Sequence, residues 1–192
     1  NLALCYDEGI GVKKNYHKAV VWYRKAAVQG HVGAQYNLAL CYETGEGVRQ
    51  NHRTSVQWYH KAAALGDTKA QYNLGVAYGK GQGVTRNPLE AVKWYRKAAA
   101  QDHPEAQYNL GVAYEQGKGV KKNENVAAKW YLKAALQGDA DAEYEMGLRC
   151  EKGNGVKTDR RTALRWYRKA ATQGHKQAKT RVEKLHKDKS LR

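Results

Sequence analysis

Asparagine recurs at Asn1, Asn37, Asn73 and Asn109, one every 36 residues. A carboxamide offers a donor and an acceptor together, so such a ladder can grip an extended peptide backbone without reading its sequence. It can equally bond a neighbouring helix as part of the repeat's own fold, and both readings stay open. One residue earlier stand Tyr36, Tyr72, Tyr108 and Tyr144, and nearby come Leu40, Val76, Val112 and Leu148. Together these would make an apolar-aromatic floor suited to peptide side chains, or else packing between repeats. A second ladder is cationic: Arg24, Lys25, Lys61, Arg96, Lys97, Lys133, Arg168 and Lys169. Positive charge spaced regularly along a rod could track phosphates or an anionic membrane.

Catalytic chemistry lacks its signatures. The chain has no Gly-x-x-x-x-Gly-Lys-Ser/Thr loop, no His-Glu-x-x-His, no Cys-x-x-Cys and no Gly-x-Ser-x-Gly. Neither enzyme activity nor a metal or cofactor is expected. Cys5 and Cys41 hold equivalent places in adjacent copies. Stacked helices lie about 8–10 Å apart, beyond the roughly 7 Å a disulfide spans, so these thiols read as free, small residues at the core edge. With Cys150 they form an odd, sparse set, and no Asn-x-Ser/Thr sequon occurs. A reducing compartment such as the cytoplasm is favoured over a glycosylated lumen.

The elements that must position these residues follow from one period. Trp22, Trp58, Trp94, Trp130 and Trp166 are each followed by Tyr, and Gly11, Gly47, Gly83, Gly119 and Gly155 are each followed by Val, all at a 36-residue step. The chain is a tandem array. Full copies run 31–66, 67–102, 103–138 and 139–174, residues 1–30 are a copy lacking its first positions, and 175–192 begin a terminal cap. Ala34, Leu38 and Tyr42 mark one helical stripe, and Ser55, Trp58, Tyr59, Ala62 and Ala63 a wider one. Between them Gly45 fits a left-handed helix end and Asn51 an N-cap. Pro88 and Pro104 fit helix starts.

The result is helix–loop–helix five times over, all-α, in a single repeat domain over 1–192. One hairpin cannot bury both stripes, so neighbours must stack. The Trp–Tyr pairs are expected in the core. In the terminal segment Ala178, Val182 and Leu185 face inward while Lys176, Lys179, Lys184 and Lys187 face water. Residue 1 falls inside a repeat, so the chain reads as an excised piece. Its uncapped N-terminal repeat is expected to be a sticky end for end-to-end self-association. Mean hydropathy is −0.86, and no apolar run approaches the roughly 20 residues of a membrane span.

The strings Ala34-Gln35-Tyr36-Asn37-Leu38-Ala39-Leu40-Cys41-Tyr42, Gly45-Glu46-Gly47-Val48 and Trp58-Tyr59-His60-Lys61-Ala62-Ala63 resemble the Sel-1-like repeat. Residues 70–99 and 106–135 match better still, with Gly75 and Gly111 at the small position. The last copy departs from the pattern at Glu145, Met146 and Cys150. The resemblance implies a tetratricopeptide-like α-solenoid, a right-handed superhelix acting as an adaptor or scaffold for other proteins. It also implies that first helices line a concave groove and second helices form the convex back. In tetratricopeptide relatives the Asn position holds the backbone of a peptide ligand. Some bacterial relatives carry a disulfide-linked Cys pair in each repeat; this chain does not.

The charges divide by element. The five second helices carry 15 Lys or Arg against 2 acids, and the first helices 4 against 11, within a net charge of +16. The groove is therefore expected to be acidic to neutral, most so at Asp139, Asp141, Glu143, Glu145 and Glu151. It would suit a basic or neutral polypeptide better than an acidic one. The alternative is an electrostatic platform on the basic back for nucleic acid or membrane. Nucleic acid is the weaker expectation, because binders of that kind add exposed aromatics.

Overall fold

The computed structural model describes residues 2–190, with side chains through Leu185. These residues form α-helices and no strand: α1 (Leu2–Glu8), α2 (Tyr16–Val28), α3 (Val32–Thr44), α4 (His52–Ala64), α5 (Thr68–Lys80), α6 (Pro88–Ala99), α7 (Pro104–Gln116), α8 (Glu124–Leu136), α9 (Ala140–Lys152), α10 (Arg160–Thr172) and α11 (Lys176–Ser190). From α1 to α10 they alternate as first and second helices of five pairs, and α11 follows as the terminal helix.

Local chemistry sets the boundaries. Asn15, Asn51 and Asn123 accept from the backbone N–H three residues on at 2.9–3.0 Å, Asn87 does so at 3.2 Å, and Asp159 caps α10. Each cap satisfies a donor that the first helical turn leaves unpaired. First helices α3, α5, α7 and α9 end on left-handed Gly45, Gly81, Gly117 and Gly153. The second loop glycine has a further task. A Cβ on Gly47 would stand 2.3 Å from the Tyr16 carbonyl oxygen, and one on Gly83 2.3 Å from that of His52. The loop of one repeat thus lies backbone to backbone on the start of the preceding second helix.

The chain divides into two compact units, one ending at Lys97 and the other beginning at Ala98. The first holds apolar clusters around Tyr23 with Leu38 and around Tyr59 with Leu74. The second is built around Tyr131, Met146, Tyr167 and Leu185. The second-helix tyrosine ring occupies space that a small first-helix residue vacates. A Cβ on Gly75, Gly111 or Gly147 would come within 2.4–2.8 Å of the ring of Tyr95, Tyr131 or Tyr167. In α11, Ala178 and Leu185 are buried, Val182 is half-buried, and Lys176, Lys179 and Lys184 are exposed. The side chain of Lys187 lies outside the described residues.

Two expectations change. Of the Trp–Tyr pairs only Tyr23, Tyr59, Tyr131 and Tyr167 are buried, Tyr95 being half-buried: Trp22 is 37% exposed, and Trp58, Trp94, Trp130 and Trp166 are half-buried. A lysine one turn on lies over each of Trp22, Trp58, Trp94, Trp130 and Trp166, 4.0–4.7 Å from the ring centre, covering the indole without taking it inside. Of the predicted Ala34–Leu38–Tyr42 stripe only Leu38 is buried, Ala34 and Tyr42 being half-buried. In α3 the buried residues are Gln35, Leu38, Ala39 and Cys41, because this helix is flanked by α2 and α4.

Candidate binding surfaces

The exposed side of each first helix is one narrow stripe at helical spacing. In α3 it runs Gly33, Asn37, Leu40, Thr44, and in α5 Lys69, Asn73, Val76, Lys80. In α7 it runs Glu105, Asn109, Val112, Gln116, and in α9 Asp141, Glu145, Leu148, Lys152. The end positions of these stripes are exposed and the Asn half-buried. Within each of these helices the asparagine (Glu145 in α9) and the aliphatic residue singled out from the sequence therefore share a face. Asn1 lies outside the described residues. The tyrosines turn toward the second helix: Tyr36 meets Tyr59 with ring centres 5.8 Å apart, Tyr72 meets Tyr95 at 6.1 Å, Tyr108 meets Tyr131 at 5.4 Å and Tyr144 meets Tyr167 at 5.7 Å.

A polar chain runs beneath the stripe. Tyr59 donates its hydroxyl to Glu43 at 2.6 Å. Asn73 of the next repeat stands against the hydroxyls of Tyr36 and Tyr59. Burial pushes both phenols above their ordinary pKa, and Asn73 opposes that shift, which is the behaviour of a donor to the phenol oxygen. Tyr23, Tyr131 and Tyr167 likewise donate to Asp7, Glu115 and Glu151. The third copy has Gly79 at that acid position. Burial also pushes the Tyr108 phenol up to about 12, with Glu145 adding to it.

A buried amide ladder escaped the sequence reading. Gln35, Gln71 and Gln107 donate Nε2 to the carbonyls of Ala27, Ala63 and Ala99 at 3.2–3.4 Å, tying each first helix to the second helix before it. Gln137 returns a bond to Gln107 Oε1 at 2.8 Å, and Gln173 one to Glu143 Oε2 at 2.9 Å. Gln35 Oε1 is buried without a hydrogen-bond partner among the described residues, because Leu65 stands where Gln137 and Gln173 donate. The only sequence signal was a Gln fixed in period with the alanines.

The last repeat is rebuilt. Arg149 is 1% exposed at a position held by Cys41, Ala77 and Ala113 in earlier copies. Its guanidinium lies 2.8 Å from Glu115, 3.6 Å from Glu124 and 4.5 Å from the ring centre of Tyr131. Glu145 takes the Asn position, and burial followed by the Glu115 charge raises its carboxyl pKa. Burial likewise raises those of Asp139 and Glu143. His175 stacks on Tyr144 with ring centres 4.5 Å apart. Its Nδ1 accepts from the Ala178 N–H and its Nε2 lies 3.3 Å from Asp141, an arrangement that suits the Nε2–H tautomer.

On the second helices, Lys25, Lys61, Lys97, Lys133 and Lys169 are the cations over the tryptophans, and all five are exposed. Arg24 donates to the hydroxyl of Tyr42 at 2.5 Å. Arg96 and Arg168 are exposed on the same helices. All three cysteines are free thiols. Among the described residues there is no group of His, Cys, Asp or Glu able to hold a metal ion, and no helix is long and apolar enough to cross a membrane.

Residues 1–31, 32–67, 68–103, 104–139 and 140–175 each match the Sel1 repeat. The chain belongs to the Sel1 repeat family. The family's frame opens one residue after the frame read from the sequence, inside the same short turn. Among solved structures, c5321, a protective antigen of uropathogenic Escherichia coli strains with an SLR fold, is 38% identical over 94% of this chain, with a TM-score of 0.92. This chain spans 39% of that protein's length. A Sel1 repeat protein from Oxalobacter formigenes is 40% identical over 90% of this chain and 71% of its own, with a TM-score of 0.86. Helicobacter pylori cysteine rich protein B is 26% identical over 67% of this chain and 92% of its own, with a TM-score of 0.55. No curated protein matches the chain. Sel1 repeat proteins are generally non-catalytic scaffolds for interactions between proteins. Within that family frame, the Glu145 and Arg149 substitutions make the fifth Sel1 repeat of this chain chemically distinct from the four before it.

Proposed function

We propose that this Sel1 array is a non-enzymatic adaptor that holds an extended, basic or neutral polypeptide along its first-helix stripes. The observation that carries the reading is the coincidence of Asn73 with Val76, and of Asn109 with Val112, on half-buried helix stripes with exposed ends, Asn73 standing against the hydroxyls of Tyr36 and Tyr59. A ready-oriented amide can bond a ligand backbone without first losing side-chain freedom. Glu105, Asp141 and Glu145 on the stripes of the second unit favour positive charge in the ligand.

Panning a random peptide library against the chain tests this. Enriched peptides should be neutral or basic, and Leu40→Lys with Val76→Lys should weaken them at least tenfold while the thermal midpoint holds. Those two side chains lie on the stripe and leave the Asn73–tyrosine contacts alone. Peptides that bind the double variant as well as the parent would remove the stripe as the site.

A second reading uses the opposite chemistry. Five exposed lysines, four over half-buried tryptophans and Lys25 over the exposed Trp22, give the second helices cations beside aromatic faces, which is the combination anionic polymers use. Binding of a generic duplex that collapses with added salt and shows no sequence preference would mark this as charge attraction alone.

A further inference from the structure

The first unit carries a groove that the stripe does not use and that shares only Lys25 with the lysine–tryptophan ladder. It lies between α2 and the loop joining α3 to α4 and encloses about 910 Å³. Val20, Val21 and Val28 on α2 and Val48 on the loop give it an apolar floor, and Arg24, Lys25 and Arg49 flank it. No acidic residue lines it. Val28 is 73% exposed and Val21 43%, while Val20 at 4% ties the floor to the core, so the two outer valines face solvent. The walls are fixed to each other, since His17 Nδ1 lies 3.3 Å from the Gly47 carbonyl oxygen and the Gly47 backbone touches that of Tyr16.

The corresponding groove one repeat later shows what is special here. It encloses about 490 Å³, with Gln57 where the first has Val21 and Thr85 where it has Arg49. Ala64 takes the place of Val28. Apolar reach is reduced, and the lining cations are Arg53 and Arg86 in place of Arg24, Lys25 and Arg49.

We propose that the α2 groove docks an acidic amphipathic helix of a partner protein. The valines on α2 follow helical spacing over about 12 Å of axis, a length suited to the side-chain ridge of a crossing helix. An extended strand would find no unpaired sheet edge there. Cations flanking the floor, with no acid lining it, select carboxylates beside the apolar ridge. The floor is recessed between two elements, which a flat bilayer would meet poorly.

The test uses a fluorescent stapled helix of about three turns, with leucines at i, i+3, i+4 and i+7 and glutamates beside them. Anisotropy should show saturable binding to the full chain, and the same helix with lysine for glutamate should bind at least tenfold more weakly. Val21→Gln with Val28→Ala should also weaken the acidic helix at least tenfold. Both residues occur naturally at the equivalent sites of the next repeat, so the fold tolerates them. Arg49→Thr should give a smaller loss. Equal binding of the acidic and basic helices, or full binding by the Val21→Gln, Val28→Ala variant, would overturn the proposal. So would preferential binding of phosphatidylserine vesicles that is lost in the same variant, since that result assigns the groove to a membrane.

Discussion

Leu65 occupies the one described place in the amide ladder where a donor has been replaced by an alkyl group. Gln137 and Gln173, its counterparts, each donate to the ladder residue of their own repeat, whereas Gln35 Oε1 is left buried and unbonded. Leu65 is 58% exposed, so removing it uncovers little apolar surface. Leu65→Gln should therefore raise stability by about 1 kcal/mol, the net worth of a typical hydrogen bond plus relief of an unmet acceptor. In a chain of this size that is a rise of about 2–4 °C in the thermal midpoint. Calorimetry that finds no rise would show that Gln35 Oε1 is satisfied by water. The same logic makes Asn73 a dual feature: it stands against the tyrosines of the preceding repeat and lies on the stripe beside Val76. Structure and recognition share the residue.

At the level of elements, glycine position decides how a repeat seats on its neighbour. Gly66 and Gly83 both have positive φ, at +92° and +72°, but a Cβ on Gly66 meets nothing within 4 Å while one on Gly83 stands 2.3 Å from the His52 carbonyl oxygen. Gly66→Ala should cost about 1 kcal/mol, the left-handed penalty alone. Gly83→Ala must also lift the loop from α4 and should cost about 3 kcal/mol or more. Asp102, at φ 59° in the turn after α6, shows that a side chain is tolerated at the first kind of site. Urea titration of the two variants checks the ranking, and equal losses would mean the loop does not bear on α4.

This contrast also marks what sequence could and could not reveal. The 36-residue period, the Asn caps and the glycine ends were legible because each depends on local backbone chemistry that repeats. Gln35 and Arg149 were not, since a polar side chain reads as exposed unless its partner, lying in another helix, is known. The tryptophans misled for the related reason that a lysine one turn away can cover an indole as well as a core can. The stripe was legible only in part: spacing puts Asn37 and Leu40 on one helix face, but the reading placed Tyr36 with them, and the turn of Tyr36 toward Tyr59 depends on the small first-helix positions.

Across the whole molecule, charge is distributed so that the fifth repeat differs from the rest. Asp139, Glu143 and Glu145 all have carboxyl pKa values raised first by burial, and Glu143 is 3% exposed. It replaces the ladder Gln, so the ionised side chain has no hydrogen to give the Ala135 carbonyl, the counterpart of Ala27, Ala63 and Ala99. A carboxyl whose folded pKa exceeds its unfolded value holds protons more tightly in the native state. Stability from this group is therefore smallest at neutral pH and grows as pH falls toward the ordinary Glu value of 4.5. Asp159, whose pKa is lowered chiefly by its bonds with Thr162, acts the other way, but only below the ordinary Asp value of 3.8. Glu143→Gln isolates the buried carboxyl from His175 and the other titrating groups, since only position 143 changes. At pH 7.5 the variant should be more stable than the parent by about 1 kcal/mol, one restored hydrogen bond, and the gap should close as pH is lowered to the carboxyl range. Hydrogen exchange of α9 amides at both pH values reads the effect where it arises. A gap that is constant with pH would mean the Glu143 carboxyl keeps its proton, or its charge, throughout. A gap of opposite sign would mean that Gln173 and Lys169 stabilise the carboxylate more than burial penalises it.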